Sequence, residues 1–132
     1  MQIQIRQISP ATSEAAIRSH RISIDRPLEK GGTDNGPMGG ELFLASVGGC
    51  FMSTLLAAIR ARNAEVSGVQ TEVIATLAEA PARFTKIELC VTADCKDPQE
   101  LEHLVEIAER GCIMVNTLKG KLDLQVHIGA RV

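Results

Sequence analysis

A chain of 132 residues is long enough for one ordinary domain, whose folding buries roughly two-thirds of the unfolded surface, so one compact domain over 1–132 is expected. With 14 Lys+Arg against 16 Asp+Glu, and 3 Phe as its only aromatic residues, it has neither the basic run nor the stacking side chains of a nucleic-acid binder. The opening MQIQIRQISP lacks the basic start and apolar core of a signal peptide, and the apolar runs are read as falling short of the roughly eighteen uncharged residues of a membrane span. A soluble cytoplasmic protein is expected, with neither nucleic acid nor membrane among its partners.

Residues 1–8 alternate in period two, with Ile3, Ile5 and Ile8 near one face, and EAAIRSHRISID repeats the pattern through Ile17, Ile22 and Ile24. Two or three antiparallel strands, joined at Ser9-Pro10 and by a bend near His20, are the simplest reading. RPLEKGGTDNGPMGG holds too much proline and glycine for a helix or strand and predicts a loop. It contains no GxxxxGK[ST] and no GxGxxG, so it is not read as a phosphate loop.

From about Gly40 to Arg62 the residues are good helix formers and apolar almost all round, as in a buried central helix. Gly48-Gly49 weakens that helix by about 1 kcal/mol per glycine, which points to a close backbone approach. VQTEVIATLAEA and RFTKIELCVTAD, with Pro81 between them, read as a hairpin with one solvated face. Asp97-Pro98-Gln99-Glu100 is a cap, an N1 proline and a first-turn acid, opening a second helix from about Pro98 to Arg110. Gly111 interrupts it, CIMVNTLK predicts a short further helix, and LDLQVHI a terminal strand.

Four cysteines, Cys50, Cys90, Cys95 and Cys112, point in a cytoplasmic protein to free, redox-active or metal-binding thiols. Cys50 and Cys112 stand beside glycine in apolar surroundings, as GGC and RGC, where a neighbour can approach closely. Taken alone, a cysteine on an apolar helix reads as packing, because burial raises its pKa and makes it inert. As a nucleophile Cys50 needs a cation beside it; arginine suits, since it stays charged when partly buried, and Glu41 is placed to fix such an arginine. Glu41 precedes Cys50 by nine residues, about 2.5 helical turns, so the two share a site only if the helix begins after Glu41 or bends there.

Cys90 reads as a half-buried strand residue and Cys95 as part of an exposed turn. Cys90, Cys95, Cys112 and His103 lack CxxC or HxxxH spacing, so no metal site is expected. His20 and His127 fall in strand patterns and read as surface or satisfied core residues.

The order of these elements resembles the OsmC/Ohr superfamily of osmotically induced and organic-hydroperoxide-resistance proteins. Its members have N-terminal strands, a glycine-rich loop and a helix of the type ELLLAALGGC, here Glu41-Leu42-Phe43-Leu44-Ala45-Ser46-Val47-Gly48-Gly49-Cys50. A hairpin follows, then a helix ending in a second cysteine, here Ala108-Glu109-Arg110-Gly111-Cys112. The position of Glu41 is similar to that in the less characterised OsmC-like branch.

The resemblance implies an α+β, OsmC-like fold, with curved antiparallel sheets wrapped around central helices in an intertwined homodimer. It implies that Cys50 attacks an organic hydroperoxide and that Cys112 resolves the product as a disulfide. An external dithiol, such as a lipoyl-bearing protein, would reduce this disulfide, with no bound cofactor. Glu41 and an arginine would complete the site, Arg18 first, with Arg6, Arg21 and Arg26 as alternatives. Phe43, Val47, Phe51 and Met114 would line the substrate pocket. The alternative in another class is an OsmC-like protein that binds a small ligand or senses oxidants without efficient turnover.

Overall fold

The computed structural model describes residues 1–129. Backbone contacts divide the chain into two compact units, Met1–Phe43 and Leu44–Val132.

The first unit opens with three strands, β1 (Gln4–Gln7), β2 (Ser13–Ile17) and β3 (His20–Ile24), in an antiparallel sheet of order β1-β2-β3. The β1–β2 turn forms because Ser9 Oγ accepts the N–H groups of Ala11 and Thr12, while Ile8 N–H reaches Thr12 O at 2.8 Å. Between β2 and β3, Ile17 pairs with His20, which leaves Arg18 and Ser19 as the turn and Arg18 in the left-handed region at φ 52°.

The following loop is organised by a buried carboxylate that the sequence reading did not single out. Asp25 accepts the hydroxyls of Thr12 and Thr33 and the backbone N–H groups of Arg26, Thr33 and Asn35. The Thr33 hydrogen bond, with the donors from Arg26, Asn35 and Thr12, outweighs desolvation and holds the Asp25 carboxyl well below the usual carboxylate range. Gly32 is required here, because a Cβ would lie 2.0 Å from Arg26 O.

The long helix α1 (Gly39–Ala61) begins in the first unit and continues into the second. By length and composition it could cross a membrane, which corrects the sequence reading: no Asp, Glu, Lys or Arg stands between Leu42 and Ile59. A core helix passes the same test. Here Val47, Phe51 and Leu55, one above another on one face, have no exposed surface. The face opposite, with Ala45, Gly49, Ser53 and Leu56, is exposed, so burial is one-sided rather than all round.

In the second unit α1 is followed by the hairpin β4 (Val66–Ala78) and β5 (Arg83–Cys95), then α2 (Pro98–Gly111), α3 (Ile113–Leu118) and β6 (Asp123–Ile128). The sheet order is β4-β5-β6, and β6 pairs parallel with β5, so this sheet is mixed rather than purely antiparallel. The two helices between β5 and β6 carry the chain back to the end from which a parallel strand must start.

Val73 and Leu89 pair across the sheet and Leu89 pairs with Val126, placing the three on one face. A Cβ on Gly48 would meet Val73 Cγ2 at 2.6 Å, so this glycine is what lets α1 lie close to that face. Gly49 has open space around it. Gly48→Ala is therefore expected to lower stability by about 1–3 kcal/mol through overpacking, whereas Gly49→Ala raises it by up to about 1 kcal/mol. Thermal or urea unfolding of the pair distinguishes the two positions; equal responses would refute the close approach.

The solvated hairpin face is kept on β4, where Glu72 and Thr76 are exposed, but not on β5. Ile87 through Val91 are all buried in β5, the middle strand, whose outward residues are covered by their neighbours. Glu88, for one, lies between Lys86 Nζ at 3.4 Å and His127 Nε2 at 3.5 Å. α2 starts as its sequence dictates, with the Asp97 side chain accepting Gln99 N–H at 3.0 Å and Pro98 in the first turn.

Candidate active site

Two sulfurs from distant parts of the sequence meet in the second unit. Cys50 stands in mid-α1, two residues past Gly48, and Cys112 at the joint between α2 and α3. The Cys112 thiol donates to the Cys50 sulfur across 3.4 Å. Both cysteines are free; Cys50 is half-buried and Cys112 has no exposed surface. A disulfide bond is about 2.05 Å long, so closing the pair requires an approach of little more than 1 Å.

The joint supplies more than a second thiol. Cys112 has extended backbone, φ −81° and ψ 119°, and its carbonyl accepts Asn116 N–H at 3.0 Å as the first bond of α3. The leading N–H groups of a helix have no acceptor within it. Here they turn to sulfur.

At Cys50, burial pushes the thiol pKa up, but hydrogen bonds from Met114 N–H, the Cys112 thiol and Ile113 N–H outweigh it, and the net direction is down. At Cys112 burial leads and is reinforced by the proton it shares with Cys50 and by the Cys50 charge; Val115 and Met114 N–H oppose this, and the net direction is up. The two thiols are thus differentiated: the anion is favoured on Cys50 and the proton on Cys112. The sequence reading required a cation for this purpose and did not foresee backbone donors. The signal was present as Gly111-Cys112 breaking one helix immediately before another short apolar run.

The remaining expected site residues are distributed as follows. Met114 joins the pair through its backbone N–H. Val47 and Phe51 have no exposed surface and serve as core, while Phe43 and Met114 are half-buried. Helix α1 begins at Gly39, before Glu41, so the late start considered for Glu41 does not occur. Glu41 Oε1 accepts Met38 N–H at 2.9 Å, reaching back over the first turn as a capping carboxylate does.

All four arginines belong to the first unit. Arg6 and Arg21 flank Glu14 at 3.0 and 3.8 Å, Arg18 is exposed on its turn, and Arg26 is exposed beside Asp25. Cys90 is buried and in register with Glu72 and His127, on the sheet face opposite Val73 and α1. Cys95 directs its thiol to Asp97 O at 3.6 Å. Among the described residues no group of His, Cys, Asp and Glu is placed to hold a metal.

Residues 32–127 match the family described as OsmC-like protein. The chain belongs to this family. No curated protein matches the sequence. Among solved structures, this OsmC-like chain is similar to the OsmC-like protein from Mycoplasma pneumoniae, at 16% identity and TM-score 0.84, covering 97% of this chain and 94% of that one. It is similar to the organic hydroperoxide resistance protein OsmC from Legionella pneumophila, at 19% identity, TM-score 0.76 and 98% coverage of both chains. It also resembles the organic hydroperoxide resistance protein OhrB of Bacillus subtilis, at 20% identity and TM-score 0.69, covering 97% and 96%. At such identities the likeness establishes the α+β OsmC fold.

Proposed function

We propose that this OsmC-like protein is a thiol-dependent peroxidase that reduces organic hydroperoxides to alcohols. The observation that carries the reading is the 3.4 Å contact between two free thiols, in which the proton is held on Cys112 and the anion favoured on Cys50. The Cys50 thiolate attacks the terminal oxygen of ROOH, the O–O bond breaks, and RO⁻ takes a proton to leave as ROH, with Cys50 oxidised to the sulfenic acid. The Cys112 sulfur then attacks the Cys50 sulfur and water departs as the disulfide forms. An external dithiol returns two electrons and two protons. Membership of the OsmC family and fold neighbours named for organic hydroperoxide resistance support a redox role.

The same reading makes the protein a cytoplasmic homodimer. The homodimer is supported by apolar side chains that one chain leaves exposed: Ile3, Ile5 and Ile8 around β1, Leu56 on α1 and Ile113 on α3.

One equivalent of cumene hydroperoxide added to the reduced protein is expected to remove two of its four thiols, with a single new disulfide linking the tryptic peptides 31–60 and 111–119. Slow loss confined to peptide 87–96, which carries Cys90 and Cys95, would reject the reading.

A further inference from the structure

We propose that the Cys50–Cys112 disulfide is reopened at one sulfur only: an external thiolate attacks Cys50, and Cys112 is the group that leaves. The inference rests on the peroxidase reading for the physiological source of the disulfide, while its direction follows from how the pair is buried.

Thiol–disulfide exchange requires the incoming sulfur to reach the attacked sulfur itself, through a mixed-disulfide intermediate. Cys112 has no exposed surface, whereas Cys50 is half-buried and reachable. The joint that carries Cys112 is also pressed onto α1: a Cβ added at Gly111 would lie 3.1 Å from Thr54 Cγ2, and Thr54 Oγ1 is bonded to Cys50 O at 3.1 Å. This close contact with α1 accords with the enclosure of the Cys112 sulfur.

Leaving-group strength alone favours the opposite direction, since burial makes Cys112 the more basic and poorer leaving thiolate. A sulfur that cannot be reached overrides that preference. In the first step the incoming thiolate bonds to the Cys50 sulfur and the S–S bond breaks. Its electron pair leaves on Cys112, which takes a proton from solvent. In the second step the reductant's other thiolate attacks the reductant's own sulfur in the mixed disulfide. This expels Cys50, the better leaving group of the two, and closes the reductant's disulfide.

A monothiol has no second thiol of its own, so a further molecule must complete the reduction; meanwhile Cys112, 3.4 Å from Cys50 in the reduced pair, closes back and expels the first. Reversal of this kind makes the intermediate visible only when exchange is stopped rapidly.

The disulfide is prepared twice, with cumene hydroperoxide and with diamide, treated with excess glutathione, quenched in acid, freed of glutathione, alkylated at its remaining thiols with N-ethylmaleimide and then digested with trypsin. Glutathione is expected on peptide 31–60, which holds Cys50, in about tenfold or greater excess over peptide 111–119, which holds Cys112. Equal labelling, or labelling mainly on 111–119, would overturn the proposal. Should diamide form the disulfide where hydroperoxide does not, the peroxidase reading fails and the labelling still decides the direction. If neither oxidant links the pair, both fall.

Discussion

Cys50→Ser is expected to reduce hydroperoxide consumption to the background rate, a loss of about 10³-fold or more, because it removes the only sulfur of the pair that is both reachable and favoured as an anion. Cys112 is not a substitute, since its thiol is enclosed and holds its proton. Cys112→Ser should consume one equivalent and stop at a sulfenic acid that dimedone traps on peptide 31–60. Comparing serine with alanine at 112 separates resolution from activation. The serine hydroxyl still donates to the Cys50 sulfur, whereas alanine deletes one of the three donors that lower its pKa. The midpoint for Cys50 alkylation should therefore rise with Cys112→Ala by more than with Cys112→Ser, each unit corresponding to about 1.4 kcal/mol of lost anion stabilisation. Identical midpoints in both variants would show that the Cys112 thiol does not help to hold the charge.

Phe51→Ala should cost about 3–5 kcal/mol of stability, a large part of the 5–15 kcal/mol typical of a domain. Phe51 is fully enclosed on the face of α1 shared with Val47 and Leu55, so its removal leaves a cavity beneath that face. Denaturant unfolding gives the size of the effect, and the initial rate with hydroperoxide per folded molecule gives its selectivity. A core role predicts a lowered unfolding midpoint with KM for cumene hydroperoxide little changed. An unchanged midpoint with a raised KM would restore Phe51 to the substrate pocket in which the sequence reading placed it.

Much of the fold could be read from local rules because local rules produce it. Ser9 shapes the first turn, Asp97 and Pro98 start α2, and period-two alternation marks β1, β2 and β3, although β1 starts only at Gln4, three residues into its alternating segment. The parallel pairing of β6 could not be read this way. LDLQVHI alternates equally well in either direction, and its orientation depends on where α2 and α3 leave the chain. The burial of both faces of β5 escaped for the same reason, since a strand's neighbours, not its own residues, determine whether it is central.

At the site, the sequence by itself determined the two thiols that the proposal pairs, their setting beside Gly48-Gly49 and Gly111, and the break that makes Cys112 a helix joint. Residue type and helix-breaking chemistry are local properties, so these survive in any fold the chain adopts. Only the tertiary structure decided what distinguishes the thiols: that they stand 3.4 Å apart, that Cys112 is the enclosed one, and that the open N–H groups of α3 hold charge on Cys50. Sequence reasoning looked instead to an arginine, Arg18 first with Arg6, Arg21 and Arg26 as alternatives, fixed by Glu41, because side-chain charge is visible in a sequence. Backbone dipoles are the same at every residue and acquire direction only when a helix end is aimed at a target.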